Sequence, residues 1–458
     1  MQIDSEFLQK YNVSGPRYTS YPPANFFHNG FSDSDYFQAL KESNEQKPEN
    51  ISIYIHIPFC PKRCHFCGCS TIVAQRKMVV ERYIRALKTE IKLVASQLDP
   101  SRKVTQIHWG GGTPNSISMN YVEEIMDWIH NHFVISDLAE IAMECSPAYL
   151  AYEDIDRIAK MGFNRISLGI QDFSEEVLKV VNRDPPRHPV KEVVDYLRLK
   201  GFRGINLDFI YGLPLQTLES FRETIARAIA IRPDRIVAFS YAHVPWVKDA
   251  QKQLESIGLP NANDKVNLFL QAASQLTKAG YSSIGIDHFT LPDDDLARAF
   301  QNNQLHRNFQ GYCTLETTGQ VYAFGSSSIS QLQGAYSQNY KDILQYMEAI
   351  EHQGTAVERG YHLSRNERII RSAINSIMCN GLLDFNELSV EFMITLNDLK
   401  ELLSFDPLKF ENFVEDDLLH LDDNQIRLTD KGFLCARNIA MLLDPALKSG
   451  EGIYSKTV

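Results

Sequence analysis

From about residue 51 to residue 242 the chain repeats one unit, a short β-branched run followed by a helical stretch, and this alternation restricts the fold more than any other feature. Ile51-Ser-Ile-Tyr-Ile-His-Ile57 reads as the first strand. Val80, Tyr83, Leu87, Ile91, Val94 and Leu98 then recur three or four residues apart, the spacing that gathers apolar side chains on one helix face. Runs at 104–109, 139–145, 164–170, 204–211 and 235–241 supply five more strands, each but the last followed by a helix-like segment. Strands separated by helices pair in parallel through right-handed crossovers. The expected fold is α/β, a partial (β/α)6 barrel over residues 51–300 with its active face at the carboxyl ends of the strands.

The flanks read differently. Residues 1–50 have weak periodicity and several Pro and Gly residues, which predicts an extended N-terminal arm with one short helix at 34–42. Beyond the repeats a helix is expected at 263–279 and a strand at 282–288, and residues 293–340 look irregular. Residues 301–360 are expected to connect the barrel to the last domain and to complete the active site. Residues 361–458 are mostly helical: Ser364-Arg-Asn-Glu367 is a capping box ahead of Ile369, Ile370, Ala373, Ile374 and Ile377. Gln425-Ile-Arg-Leu-Thr429 with a helix at 430–443 adds a winged-helix-like pattern.

A net charge of -11 without a dense Lys/Arg cluster argues against a nucleic-acid partner, which needs a basic face. The acidic runs Glu415-Asp-Asp417 and Asp422-Asp423 likewise make the winged unit a cover rather than a DNA reader. No apolar segment is long enough to span a bilayer, and Met1-Gln-Ile-Asp-Ser-Glu6 lacks the pattern of a signal peptide. A cytoplasmic monomer is expected.

Half of the eight cysteines crowd the loop after the first strand, Ile57-Pro-Phe-Cys-Pro-Lys-Arg-Cys-His-Phe-Cys-Gly-Cys69. Cys60, Cys64 and Cys67 have the spacing C-x3-C-x2-C. Three thiolates on so short a loop can grip three irons of a [4Fe-4S] cubane and leave the fourth open to a small molecule. Structural zinc would want a second cysteine pair, yet Cys145, Cys313, Cys379 and Cys435 stand alone in separate segments. His65 reads as a solvated loop histidine. The spacing resembles that of the radical S-adenosylmethionine enzymes, in which the methionyl amine and carboxylate chelate the open iron, and Phe66 is the aromatic residue usual before the third cysteine.

Polar residues mark the later strand ends. Gly110-Gly-Gly-Thr-Pro114 allows close backbone approach, and Glu144, Gln171 and Asp208 sit in β-branched runs where an unpaired polar group is costly. With Arg183 they suit a ligand carrying an ammonium, a carboxylate and ribose hydroxyls. A structural salt bridge is the alternative for any one of them. Tyr11-Asn-Val-Ser-Gly-Pro-Arg-Tyr-Thr-Ser-Tyr-Pro22, Tyr54-Ile-His-Ile-Pro-Phe-Cys60, His108-Trp-Gly-Gly-Gly-Thr-Pro114, Asp208-Phe-Ile-Tyr-Gly-Leu-Pro214, Ile286-Asp-His-Phe289 with Pro292-Asp-Asp-Asp295, and His306-Arg-Asn-Phe-Gln-Gly-Tyr312 together resemble the oxygen-independent coproporphyrinogen III oxidase family over about residues 10–445.

By that resemblance Cys60, Cys64 and Cys67 hold the [4Fe-4S] cluster. Tyr54, Gly111, Glu144 and Ile329 bind the cluster-chelating S-adenosylmethionine, and Gly112, Thr113, Gln171, Arg183, Asp208 and Ala242 match a second S-adenosylmethionine site. The implied reaction turns two propionates of a porphyrinogen into vinyls through a 5'-deoxyadenosyl radical. It requires an electron donor and an acceptor, neither identified by the sequence. Arg17, Tyr18, Tyr21, His306 and Arg307 are candidate substrate anchors. One departure is Glu144-Cys-Ser-Pro147, where the family usually has Asp or Asn before the proline. Cys69 is expected to be catalytic rather than a fourth ligand, which would close the cluster. Related haem chaperones lack this thiol and the Pro16–Pro22 arm motif; a haem-degrading radical methyltransferase is the other alternative.

Overall fold

The computed structural model describes residue 7, residues 10–73, residues 76–447 and residue 454. The chain divides into two compact units, one of residues 27–281 and 316–362, the other of residues 1–26, 282–315 and 363–458. Residues 1–6, read above for an export signal, lie outside the described residues.

In the larger unit the repeats form β1 (Ile51–Ile57), β2 (Lys103–Gly111), β3 (Val134–Cys145), β4 (Arg165–Gln171), β5 (Gly204–Tyr211) and β6 (Arg235–Ser240). They lie side by side in chain order, and each adjacent pair is parallel. Helices Lys77–Ala95, Met119–His132, Tyr152–Lys160, Val190–Leu199 and Leu218–Ile231 make the crossovers. This is the partial barrel that the alternation predicts. Ile53, Ile55, Ile107, Trp109, Met143, Ile166, Leu168, Leu207 and Ile236 are buried in the sheet, and Tyr83, Leu87, Ile91, Val122 and Ile125 are buried on the helices. β1 is nearly continuously buried, as a parallel strand covered on both faces must be.

Residues 293–340 are not irregular. Strand Gln320–Phe324 pairs in parallel with β1, and Ile329–Gln331, Ala335–Asn339 and Val357–His362 extend the sheet antiparallel. The polar content of Ile329–Gln331 and Ala335–Asn339, and the shortness of all these strands, hide them from a hydrophobic-pattern reading, because here buried polar side chains are paired internally. Gln320 Nε2 donates to Ser43 O at 2.8 Å, Ala323 N donates to Ser330 Oγ at 3.0 Å, and Asn339 Nδ2 donates to Glu90 Oε1 at 2.6 Å. Glu90 also accepts from Gly325 N at 2.9 Å and Tyr346 OH at 2.7 Å, and burial pushes its carboxyl up to about 7.

In the smaller unit the expected strand at 282–288 is a hairpin, Ser282–Ile284 against His288–Thr290, turned at Gly285 with φ 61°. A second hairpin pairs Leu305–Asn308 with Gly311–Thr314. The capping box at Ser364 and Glu367 opens helix Arg365–Asn380. Helices Phe385–Phe392 and Leu396–Leu402 and an antiparallel sheet of Leu382–Asp384, Gln425–Leu428 and Leu419–Leu421 follow, in the element order of a winged helix. The expected helix at 430–443 is shorter, a 3-10 turn at Gly432–Cys435 leading into Ala436–Met441. A Cβ on Gly432 would meet Leu418 O at 1.8 Å, so only this close backbone packing fits there.

One buried carboxylate sets the ends of β4 and β5. Asp172, 1% exposed, accepts from Thr224 Oγ1 at 2.6 Å, Gln216 Nε2 at 2.7 Å and Ser174 N at 2.9 Å. Gln216 in turn bonds Ile210 O and Leu213 N. Asp172→Ala strands these donors and is expected to cost about 1–3 kcal/mol. Equilibrium denaturation of both proteins checks this, and an unchanged midpoint would remove the network from the account.

Candidate active site

β1 runs into Pro58-Phe59-Cys60, where Phe59 is wholly buried and packs edge-on against Tyr83 with ring centroids 5.4 Å apart. Cys60 N donates to Ile72 O at 3.0 Å and Ile72 N to Pro58 O at 2.8 Å, which closes the cysteine loop on itself. The far side is pinned too: His65 N donates to Val181 O at 2.9 Å, and Asn182 Nδ2 to Arg63 O at 2.8 Å. His65 is therefore half-buried, with its Nδ1 3.3 Å from Val180 O, rather than solvated. The Phe66 ring packs against Val177, Val181, Leu213, Tyr241 and Leu254. Gln251, 1% exposed, donates from Nε2 to Phe66 O at 3.1 Å and Ala242 O at 3.2 Å, while its Oε1 accepts from Val244 N at 2.6 Å.

Cys60 is buried, Cys64 and Cys67 are half-buried, and Cys69 is exposed. Cys60 Sγ lies 3.5 Å from Thr113 Oγ1, and Arg183 Nη1 lies 3.6 Å from Cys64 Sγ. Burial raises the Cys60 and Cys64 thiols, and the charges of Cys64 and Cys67 raise Cys60 further, so the three sulfurs act on a common space. A hydrogen bond from Cys69 holds the Cys67 thiol at about 6 against burial, helped by the cations Lys248 and Arg63. The same bond pushes Cys69 well above its ordinary value. Among the described residues no trio of His, Cys, Asp or Glu draws together in the manner of a lone-ion site.

The glycine run at the end of β2 exists because three groups crowd it. A Cβ on Gly110 would meet the Glu144 carboxylate at 2.8 Å, and one on Gly111, whose φ is 108°, would meet the His56 ring at 2.6 Å. A Cβ on Gly112 would meet Phe59 O at 2.7 Å. With no side chains in the way, Gly112 N donates to Ile57 O at 2.7 Å and Thr113 N to Phe59 O at 2.9 Å. The β2 end is thereby bonded to the root of the cysteine loop.

Around this junction the strand-end polar residues are paired. Glu144 Oε1 lies 2.9 Å from His108 Nε2. Burial opposes the Glu144 charge, but His108 and the Gly111 N–H outweigh it and hold the carboxyl below 4.5. Burial also opposes charge on His108, and Glu144 raises it above 6.5. Tyr54 stacks on His108 with ring centroids 6.0 Å apart, and its hydroxyl lies 3.2 Å from His56 Nδ1. His56 Nε2 reaches Ser70 O at 3.1 Å and Ser327 Oγ at 3.4 Å, just before Ile329, and burial lowers its pKa. Gln171 has a left-handed backbone, φ 69°. Its Nε2 and Arg183 Nη2 both crowd Gly169, whose carbonyl accepts from Arg183. Asp208 accepts from Ser167 Oγ and, at 2.7 Å, from Asn206 Nδ2.

A family model described as the radical SAM superfamily matches residues 54–228. The chain is 40% identical over 466 residues to oxygen-independent coproporphyrinogen III oxidase of Synechocystis sp., covering 100% of this chain and 98% of that one. It is 38% identical over 447 residues to the protein of that name from Escherichia coli, covering 97% and 96%. The solved structure of coproporphyrinogen III oxidase (HemN) from Escherichia coli, a radical SAM enzyme, superposes with a TM-score of 0.89 at 36% identity over 98% of this chain and all of that one. The chain belongs to the oxygen-independent coproporphyrinogen III oxidase family.

All residues matched to the family's cluster and S-adenosylmethionine sites fall in the larger unit, within or just after β1 to β6, after helix Glu175–Val180 in the case of Arg183, and at strand Ile329–Gln331. The candidate anchors Arg17, Tyr18, Tyr21, His306 and Arg307 fall in the smaller unit. There Tyr18 and Tyr21 donate to the Asp444 carboxylate at 2.9 and 3.0 Å, and burial with the Arg371 charge pushes His306 down to about 4. The two tyrosines brace the arm against the C-terminal segment rather than offering free hydroxyls. Sequence reasoning missed His56, His108 and Gln251. The two histidines had a signal, a polar side chain near the end of an otherwise apolar parallel strand; Gln251 had none.

The Glu144–His108 pair makes a pH prediction. Glu144 contributes stability that is fully present above 4.5 and lost as pH falls through its lowered value; His108 contributes stability fully present below 6.5 and lost as pH rises through its raised value. The pair is thus doubly charged across the window between them. An imidazole NMR titration of His108 is expected to move to lower pH in Glu144→Gln, since burial alone depresses it, and an unmoved midpoint would break the assignment.

Proposed function

We propose that this chain oxidatively decarboxylates two propionates of coproporphyrinogen III to vinyls without oxygen, giving protoporphyrinogen IX. The observation that carries this reading is the near full-length match to oxidases of that name, in sequence and in fold. The same match favours the oxidase over the haem chaperone and the haem-degrading methyltransferase. The cofactors of the family are a [4Fe-4S] cluster and S-adenosylmethionine, and the thiol-rich loop beside a backbone cradle without Cβ atoms fits both. When bound, they supply a one-electron cleavage whose 5'-deoxyadenosyl radical removes a hydrogen atom from a propionate, after which carbon dioxide and a further electron leave.

The chain's own residues do the rest. Cys60, Cys64 and Cys67 would hold three irons, with Thr113 and Arg183 beside two of the sulfurs to offset thiolate charge. Glu144, kept ionised by His108, would accept from the methionyl amine, with Tyr54, Gly111 and Ile329 beside it. Gly112, Thr113, Gln171, Arg183, Asp208 and Ala242 would bind a second S-adenosylmethionine, with Asp208 oriented by Ser167 and Asn206. Buried walls of the sheet exclude water from this region. A porphyrinogen is the substrate, and no helix among the described residues is long and apolar enough to cross a membrane. We assign the chain to the cytoplasm as a monomer.

Anaerobic turnover of the reconstituted protein with coproporphyrinogen III and a reductant is expected to yield 5'-deoxyadenosine and a divinyl product through a monovinyl intermediate, followed by chromatography. Haem binding and transfer without decarboxylation would replace this reading with the chaperone.

Cys60→Ala, Cys64→Ala and Cys67→Ala should each lose most bound iron and sulfide. Cys69→Ser should keep the cluster and bound S-adenosylmethionine yet lose most vinyl formation. Normal turnover by Cys69→Ser would end its catalytic role, and loss of the cluster there would make it a ligand or a prop.

A further inference from the structure

Arg359 and Lys341, in the larger unit, have no part in the roles above, and Lys248 has so far only offset charge at Cys67. Strand register places Ile329 opposite Gln338 and Gln338 opposite Arg359, and residues directly opposed across antiparallel strands share a face. Arg359 therefore lies in line with Ile329, two strands away. Its Nε donates to Gln338 Oε1 at 2.7 Å, Gln338 Nε2 donates to Ser327 O at 3.2 Å, and the guanidinium sits 5.9 Å from the Phe27 ring centroid. Lys341 follows the strand that carries Gln338, and Lys248 Nζ donates to Cys69 O at 2.9 Å.

These charges repel one another. Partial desolvation comes first, then Arg359, in lowering the Lys341 ammonium below its ordinary value; Glu358 opposes this and Lys248 adds to it. Glu358 neighbours Arg359 along one strand, so its side chain leaves from the opposite face. Among the described residues none of the three cations has a carboxylate within ion-pair distance. Like charges held together beside a half-buried site are costly unless an anion comes between them.

We propose that Arg359, Lys341 and Lys248 form a binding site for propionate carboxylates of the porphyrinogen, which rests on the function proposed above. The carboxylates they hold are those retained in that turnover. A cation paired to the departing carboxylate would stabilise the ground state and lose its partner as carbon dioxide leaves, which raises the barrier. A carboxylate that stays keeps its ion pair through the reaction, so its binding serves orientation.

The test compares the reconstituted holoenzyme with Arg359→Met, Arg359→Lys, Lys341→Met and Lys248→Met. KM for coproporphyrinogen III is expected to rise roughly tenfold in Arg359→Met and Lys341→Met with kcat within about threefold, since a charge-assisted contact made equally in ground and transition states is lost. Arg359→Lys should recover part of the KM. Wild-type KM should rise with ionic strength more steeply than that of Lys341→Met. Lys341 is exposed and without a hydrogen-bond partner among the described residues, so its variant carries the test if Arg359→Met does not fold. Unchanged KM in an active Lys341→Met overturns the proposal. So does a rate that falls with an acidic flavoprotein reductant but not with dithionite, which would make the patch a docking face, or a fall in kcat with a shifted cluster potential at constant KM. A wild-type protein that makes no vinyl product would instead fail the function proposed above.

Discussion

The backbone contact between the end of β2 and the root of the cysteine loop governs the rest of the site. Gly112 N reaches Ile57 O, and Thr113 N reaches Phe59 O, only because no Cβ intervenes. That approach sets Thr113 beside Cys60, leaves Gly111 facing His56, and brings Glu144 over Gly110. A side chain at any of the three glycines would have to displace backbone, a histidine ring or a carboxylate. The cysteines therefore have their geometry fixed as much by β2 as by their own loop.

A second layer of buried polar groups holds the strand ends where that contact needs them. Asp172 and Gln216 tie the end of β4 to the turn after β5, and Gln251 ties Phe66 to Ala242 and Val244 beyond β6. Glu90 fixes the Gly325–Ser328 turn through Gly325 and Asn339, and so sets Ser327 against His56. Each carries a desolvation cost that its hydrogen bonds offset, which makes the site rigid and locally intolerant of substitution. The left-handed backbone of Gln171 belongs to the same pattern, a strained residue at a strand end whose side-chain amide is set close against Gly169.

Electrostatics then sort the groups by task. Thiols with mutual repulsion are drawn down or pushed up by their neighbours, the Glu144 carboxylate is kept charged by an imidazole, and His56 is kept neutral by burial. In the proposed carboxylate site, Lys248 sets a positive charge beside Cys69, and Arg359 lies in line with Ile329.

The sequence by itself determined the parallel core and the cysteine loop. Alternation of β-branched runs with helical periodicity is a local property, and β1 to β6 fall within a few residues of where it puts them, because each strand carries apolar residues into the core and β1 is buried on both faces. The spacing of Cys60, Cys64 and Cys67 is equally local. Only the tertiary structure decided the rest. Strands Gln320–Phe324, Ile329–Gln331 and Ala335–Asn339 carry Gln, Ser and Asn whose partners lie as far off as Ser43 and Glu90, so no window of the chain shows that burial will be tolerated. The bracing of Tyr18 and Tyr21 by Asp444, the charge on Glu144 set by His108, and the reach of Gln251 to Phe66 likewise depend on groups distant in sequence. Periodicity reports which residues seek the core; which polar groups meet there is fixed by how the strands close on one another.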